Sequence, residues 1–377
     1  MAEAPRGDKA VKDIVRRVGQ RFMVGFEGFA ASADVKALIR ELGVGHVVLF
    51  ARNVAGPEQV ADLVRELQSA ARDAGQEKPL LVAVDQEGGR VARLKDPWTI
   101  WPSARAVGQA GSEETARRMA EALAEELEAC GIRYDFAPCV DVDTNPRNPV
   151  IGDRSFGDDP LLVGRLGAAM IRGFQESGVV ACAKHFPGHG DTDVDSHLDL
   201  PSVEHSRSRL DDVELRPFRK AIEAGVATVM VSHLLVREID DALPATLSRK
   251  VVTGLLREEL GFAGVVVTDA LEMKALAKHW TPAQIAVLAA KAGCDLLALC
   301  SGHDAQVEAM ESLIRALEAG EIPFKEAEAS DARVRALKER FLAGTHDPDP
   351  KRARQAAGRG EHRALAESIA VRSGIPA

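Results

Sequence analysis

Eight short apolar runs constrain what this chain can fold into. They are Phe22–Phe26, Val44–Phe50, Leu80–Val84, Ile132–Phe136, Val179–Ala183, Ala227–Val231, Gly264–Val267 and Asp295–Leu299. Most are rich in β-branched or other aliphatic residues, and they show little polar alternation. A strand with one face in water alternates, whereas a run that is apolar throughout belongs to a parallel strand covered on both faces. Between the runs lie segments with apolar residues three and four apart, roughly 32–42, 57–74, 113–130, 159–177, 211–224, 250–260, 282–293 and 304–319. That spacing gives each an apolar stripe along a helix. Strand then helix, eight times over, predicts an α/β fold with a single (β/α)8 barrel. The competing architecture is a doubly wound open sheet. The barrel is assigned to residues 1–342. Residues 343–377 form a tail in which THDPDPKRARQAAGRGEH reads as a polar linker and HRALAESIAVRS has the pattern of a short helix.

Several function classes are disfavoured by composition. The formal net charge is −9 and no basic patch is visible, which argues against a nucleic-acid partner. The first twenty residues lack the apolar segment and cleavage site of a secretory signal. No stretch approaches the ~20 apolar residues that a membrane helix needs. The five cysteines, Cys130, Cys139, Cys182, Cys294 and Cys300, are scattered through apolar or helical runs without a CxxC pair. That usage fits a reducing compartment, and the expected location is the cytoplasm.

In a barrel the active site is built by loops after the C-terminal ends of the strands. Two such connections are long, about 137–158 and about 184–210, and the second holds the densest polar cluster. KHFPGHGDTDVDSH, residues 184–197, begins where the fifth apolar run ends. One reading is that these side chains only cap turns. Another is a metal site, since His and Asp are good zinc ligands. Pro187, Gly188 and Gly190 exclude the helical spacing that a zinc hydrolase would impose on His185 and His189. A third reading is acid/base chemistry. Asp195 and His197 point the same way in an extended segment, and a carboxylate partner tunes an imidazole to donate and then accept a proton. Asp269 directly follows the seventh run, where a helix N-cap is the bland alternative to a nucleophile. Asp85 opens DQEGGRVAR after the third run, and Arg154 lies in IGDRSFG within the first long loop. Asn53, Ser232, His233 and His303 read as hydrogen-bonding wall. Trp98 and Trp101 read as sugar-stacking or packing residues.

These motifs resemble glycoside hydrolase family 3, in particular its β-N-acetylglucosaminidase branch. The resemblance spans about residues 20–342 and includes DQEGGRV, FAPCVDVDTNP, IGDRSFG, KHFPGHGDTDVDSH, VMVSHL and VVVTDALEM in family order. It implies that Asp269 is the nucleophile of a covalent glycosyl-enzyme and that His197, paired with Asp195, is the acid/base. It further implies that Asp85, Arg93, Arg154, Lys184 and His185 hold sugar hydroxyls, with neither metal nor organic cofactor. The substrate class implied is a β-linked N-acetylglucosamine at a non-reducing end, in a muropeptide of cell-wall recycling or in a chitin fragment. A different β-glycoside, or phosphorolysis in place of hydrolysis, is the alternative. Many members continue into a second αβα domain through a stretch like EHRALAESIAVRS. This sequence stops there, so a loop-borne acid/base is the expectation.

Overall fold

The computed structural model describes residues 8–193, 195–196 and 199–375, with side chains described from Asp13 onward. His197, the expected acid/base, therefore lies outside the described residues, as do Val194 and Leu198. Eight parallel strands carry the architecture: β1 (Phe22–Val24), β2 (His46–Leu49), β3 (Leu81–Val84), β4 (Tyr134–Asp135), β5 (Cys182–Phe186), β6 (Thr228–Val231), β7 (Val265–Thr268) and β8 (Leu297–Leu299). They form two sheets, ordered β8-β1-β2-β3-β4 and β7-β6-β5. Isolated parallel bridges, Tyr134 to Val180 and Val267 to Leu296, lie where the edges of the two sheets meet.

The unbroken apolar runs have a direct explanation. Alternate strand residues enter two separate cores. Met23, Val48, Leu81, Ala83, Cys182, Met230, Val267 and Ala298 pack into one cluster on one face of the strands. Phe22, Val24, Val47, Leu49, Val82, Val84 and Val229 join the other, between the strands and the surrounding helices. Both faces are dry, so both must be apolar. All five cysteines are buried and unpaired.

The fifth strand lies further along the chain than its apolar run predicts. Val180 makes only a bridge, and the strand proper is Cys182–Phe186. Lys184 and His185 are therefore strand residues, not the start of a loop. Apolarity marks where a strand is buried in hydrocarbon, and a strand that ends inside a charged site runs past that mark.

Two helices follow Gly344 in the tail, Pro350–Ala356 and Gly360–Ser373. Ala353, Ala356, Ala366 and Ile369 are buried, and the first helix lies against Pro57–Asp73. His362 reaches Glu126 at 3.1 Å and Glu125 at 3.2 Å.

The helix Phe324–Leu342 sends Val334, Leu337, Phe341 and Leu342 into the cluster that holds Met23, Val48 and Val267. The same helix buries Lys338, whose ammonium donates to Gln20 Oε1 at 2.8 Å. Burial without a carboxylate partner, with Lys78 nearby, pushes its pKa down to about 7. In the folded chain Lys338 thus loses its proton below the ordinary value of 10.5, while the unfolded chain keeps it. Stability must therefore rise with pH through this window. Lys338→Met should stabilise the protein by about 2–4 kcal/mol at pH 6, and the gain should shrink toward pH 10. Melting curves at the two pH values test this. A destabilised variant, or a gain independent of pH, would show that the ammonium is not under strain.

Candidate active site

The C-terminal ends of β3, β5 and β7 bring the predicted polar residues together. Asp85 follows β3 directly. Glu87 and Arg93 come from a small hairpin, Gln86–Gly88 with Val91–Ala92, whose close approach to Pro102 needs Gly88 at φ 92°. Arg154 ends a short helical turn, Gly152–Arg154. Lys184 and His185 sit on β5 where its register against β6 slips between Ala183 and Phe186. A bulge of this kind breaks strict alternation and re-aims side chains.

These residues form a row of alternating charge. Arg93 Nη2 lies 3.4 Å from Asp85 Oδ2. Lys184 Nζ lies 2.8 Å from Asp85 Oδ1 and 2.6 Å from Glu87 Oε1. Arg154 grips Glu87 with two nitrogens, at 2.9 and 2.8 Å. Burial alone would raise the Glu87 carboxyl, but Arg154 and Lys184 hold it well below the usual range. Burial would likewise strip the Lys184 proton, and Asp85 with Glu87 holds that proton above its ordinary range.

The row ends on His185, whose protonation is fixed by its partners. Arg154 Nη2 lies 3.1 Å from His185 Nε2. A guanidinium only donates, so Nε2 accepts and the ring proton resides on Nδ1. Nδ1 then donates to Asp141 Oδ2 at 2.7 Å. Asp141 also accepts the His185 amide at 3.1 Å and the His189 amide at 2.6 Å. Burial opposes its ionisation, but His185 and these donors bring its pKa to about 2. The chain turns tightly here, since a Cβ on Gly190 would lie 1.8 Å from the Val142 carbonyl oxygen.

Sequence reading missed Asp141 and Glu87 as individual residues, although both lie inside quoted motifs. The available signal was position: each is a carboxylate in an otherwise apolar or glycine-rich stretch just beyond a strand. Cys139, Asp141 and His185 bring possible metal-ligand atoms within 4.8 Å of one another. Their polar hydrogens are already engaged, because the Cys139 thiol also donates to Asp141 at 3.2 Å. Burial holds that thiol far above its usual range.

Asp269 directly follows β7 and is partly buried. Its Oδ1 accepts the Ala270 amide at 2.8 Å. Desolvation pushes its carboxyl up, but His233, His185 and Lys184 outweigh that, and the net shift is downward. The segment beyond β5 reaches back toward Asp269. His189 Nε2 meets Ser196 Oγ at 3.3 Å, and the Ser196 carbonyl accepts the Ala275 amide at 3.3 Å. Asp195 adjoins Ser196, and its carbonyl accepts the Asp199 amide at 3.1 Å. Asp199 in turn lies 3.0 Å from Lys278. Trp98 and Trp101 are buried in the core, which favours the packing reading. Asn53 braces the carbonyls of Phe26 and Gly28.

Known proteins share this sequence and shape. The Glycosyl hydrolase family 3 N terminal domain matches residues 14–337. A beta-hexosaminidase of Thiobacillus denitrificans is 39% identical over 297 residues, covering 77% of this chain and 81% of that protein. Beta-hexosaminidase A of Pseudoalteromonas piscicida is 35% identical over 359 residues, 85% of this chain; the match spans 60% of that protein's length. A family 3 beta-N-acetylglucosaminidase from Paenibacillus superposes with a TM-score of 0.89 at 44% identity, covering 95% of this chain and 68% of the other. NagZ from Neisseria gonorrhoeae, solved with N-trifluoroacetyl-D-glucosamine, gives 0.75 at 28% identity, covering 99% and 100%. The chain belongs to glycosyl hydrolase family 3, on its β-N-acetylhexosaminidase branch.

Proposed function

We propose that this chain is a retaining β-N-acetylhexosaminidase that removes a terminal β-linked N-acetylglucosamine. The observation that carries the reading is a carboxylate, Asp269, held toward its ionised form at the same strand ends as a prebuilt row of buried, alternating charges. In this scheme Asp269 attacks the anomeric carbon while His197, paired with Asp195, protonates the departing oxygen. The glycosyl–Asp269 ester is then cleaved by a water from which His197 takes the proton. Asp85, Arg93, Arg154, Lys184 and His185 hold the sugar hydroxyls, and neither metal nor cofactor takes part. An imidazole donor suits a site already crowded with carboxylates, because it leaves no second negative charge facing the intermediate. We further read the eight strands and their helices as a closed (β/α)8 barrel in one domain, residues 1–342, with 343–377 as an appended tail. A cytoplasmic role in muropeptide recycling is the physiological reading. No helix among the described residues is long and apolar enough to cross a membrane.

The test is turnover of 4-nitrophenyl β-N-acetylglucosaminide, with the product anomer followed by NMR, with and without chelator and phosphate. Release of the β-anomer, unaffected by chelator, is expected. The α-anomer as first product would end the retaining scheme, and a requirement for phosphate would make the enzyme a phosphorylase. His197→Ala should lose roughly 10²–10⁴-fold on alkyl glycosides and far less on the nitrophenyl substrate, which leaves without protonation. Equal losses on both would remove His197 from the acid/base role.

A further inference from the structure

We infer that His233 is an imidazolium at neutral pH and serves as the positioning cation for the Asp269 carboxylate. The inference rests on Asp269 as the nucleophile.

His233 follows β6 in the VMVSHL segment and is fully buried. Its Nε2 lies 2.9 Å from the Ala270 carbonyl oxygen. A carbonyl only accepts, so Nε2 carries a hydrogen. Its Nδ1 lies 2.8 Å from Thr246 Oγ1. The Thr246 hydroxyl has one hydrogen, which it donates to the Ser232 carbonyl at 2.8 Å. Toward Nδ1 it can then only accept, so Nδ1 carries a hydrogen too. Both ring nitrogens donate, and the ring is charged. His189 makes the contrast. Its Nε2 faces the Ser196 hydroxyl, which can donate, so one ring proton suffices. Burial lowers its pKa to about 4, leaving it neutral.

Elimination leads to the same residue. The titratable groups that sense Asp269 include His233, His185, Lys184, His189, Glu272 and Cys300, and His233 is the foremost charge acting on it. Glu272 and Cys300 supply no positive charge. His189 is neutral, and His185 is already engaged by Asp141 at 2.7 Å and Arg154 at 3.1 Å. Lys184 is committed to Asp85 and Glu87. His233 remains, and it grips the carbonyl of the residue adjoining the nucleophile. It thereby fixes the backbone one residue beyond Asp269 and supplies the charge that keeps the carboxylate ionised. It touches no reacting atom and acts through Asp269.

Two measurements test this. Side-chain ¹⁵N–¹³C NMR of the full chain, with the His233 signal assigned by its loss in His233→Gln, should show an imidazolium at pH 7.5. In Asp269→Asn the same ring should lose its proton at lower pH, because its counter-charge is gone. For catalysis, His233→Gln should shift the acid limb of kcat/KM upward by about one pH unit and lower the rate at pH 7 by roughly 10–100-fold. A neutral His233 ring in the wild type at pH 7.5 would overturn the inference. So would an acid limb that stays in place while the rate falls, since that marks a merely structural residue. If the wild type turns over no N-acetylglucosaminide, the functional reading fails by itself. The NMR comparison of wild type with Asp269→Asn still decides the charge.

Discussion

Asp269→Ala should retain on the order of 10⁻⁴ or less of the wild-type rate on 4-nitrophenyl β-N-acetylglucosaminide. No neighbour can replace it. Asp85 is tied to Lys184 and Arg93, Glu87 to Lys184 and Arg154, and Asp141 to His185 and two backbone amides. Each is the counter-charge of a cation or the acceptor of a buried donor, and moving any of them to the anomeric carbon would strand a charge. The alanine variant leaves a hole beside the His233 cation that a small anion can fill. Added azide should restore part of the rate. It would attack from the face the carboxylate occupied, forming the C1–N bond as the C1–O bond to nitrophenolate breaks. The product is then the α-glycosyl azide. A β-azide, or a variant with more than a few per cent of wild-type activity, would mean that another group attacks. Among the bonds described Asp269 accepts only the Ala270 amide, so any loss of melting temperature should come mainly from the buried His233 charge left without its counter-ion.

Lys184→Met is expected to cost both stability and turnover. The lysine is almost fully buried between two carboxylates. Its loss leaves Asp85 with a longer contact to Arg93 and Glu87 with Arg154 alone. Breaking a buried ion pair from one side costs about 3–5 kcal/mol, and the remaining cations should hold the loss near the lower figure. The sign with pH follows from the shifts. Glu87 ionises more readily when folded, so its pairing contributes at neutral pH and is lost in acid. The gap between variant and wild type should therefore narrow in strong acid. Turnover should fall by at least about 100-fold in kcat/KM through misplacement of the sugar. Adding Asp85→Asn to Lys184→Met removes the carboxylate left with only the longer Arg93 contact and should recover part of the melting temperature but none of the activity. Recovery of both would make the lysine a structural tie only.

The parts of this molecule that were legible in the sequence are those governed by local rules. Helices such as Pro57–Asp73, Pro160–Glu176 and Pro282–Ala292 open with proline in the first turn and carry apolar stripes, so their limits read closely. Asp85, Arg154, Lys184, His185 and Asp269 stood out because charge beside an apolar strand is costly unless it is used. The helix Phe324–Leu342 was not recognised as a partner of the strands, because its function depends on which strand ends it covers and not on its own pattern. Asp141 was hidden for a similar reason. Its importance lies in three donors brought from residues more than forty positions away, and no local pattern records that. His233 could be named only as wall, since its charge depends on a carbonyl and a hydroxyl that the fold supplies.

The row from Arg93 through Asp85, Lys184 and Glu87 to Arg154 has a consequence for how such a pocket can change over generations. Each member is the counter-ion of its neighbours, so a single replacement leaves an adjacent charge buried and unanswered. Replacements in contact are not additive, and the tolerated steps are those in which two neighbours change together. Such a pocket drifts rarely and in pairs, whereas the exposed helices around it can accept substitutions one at a time.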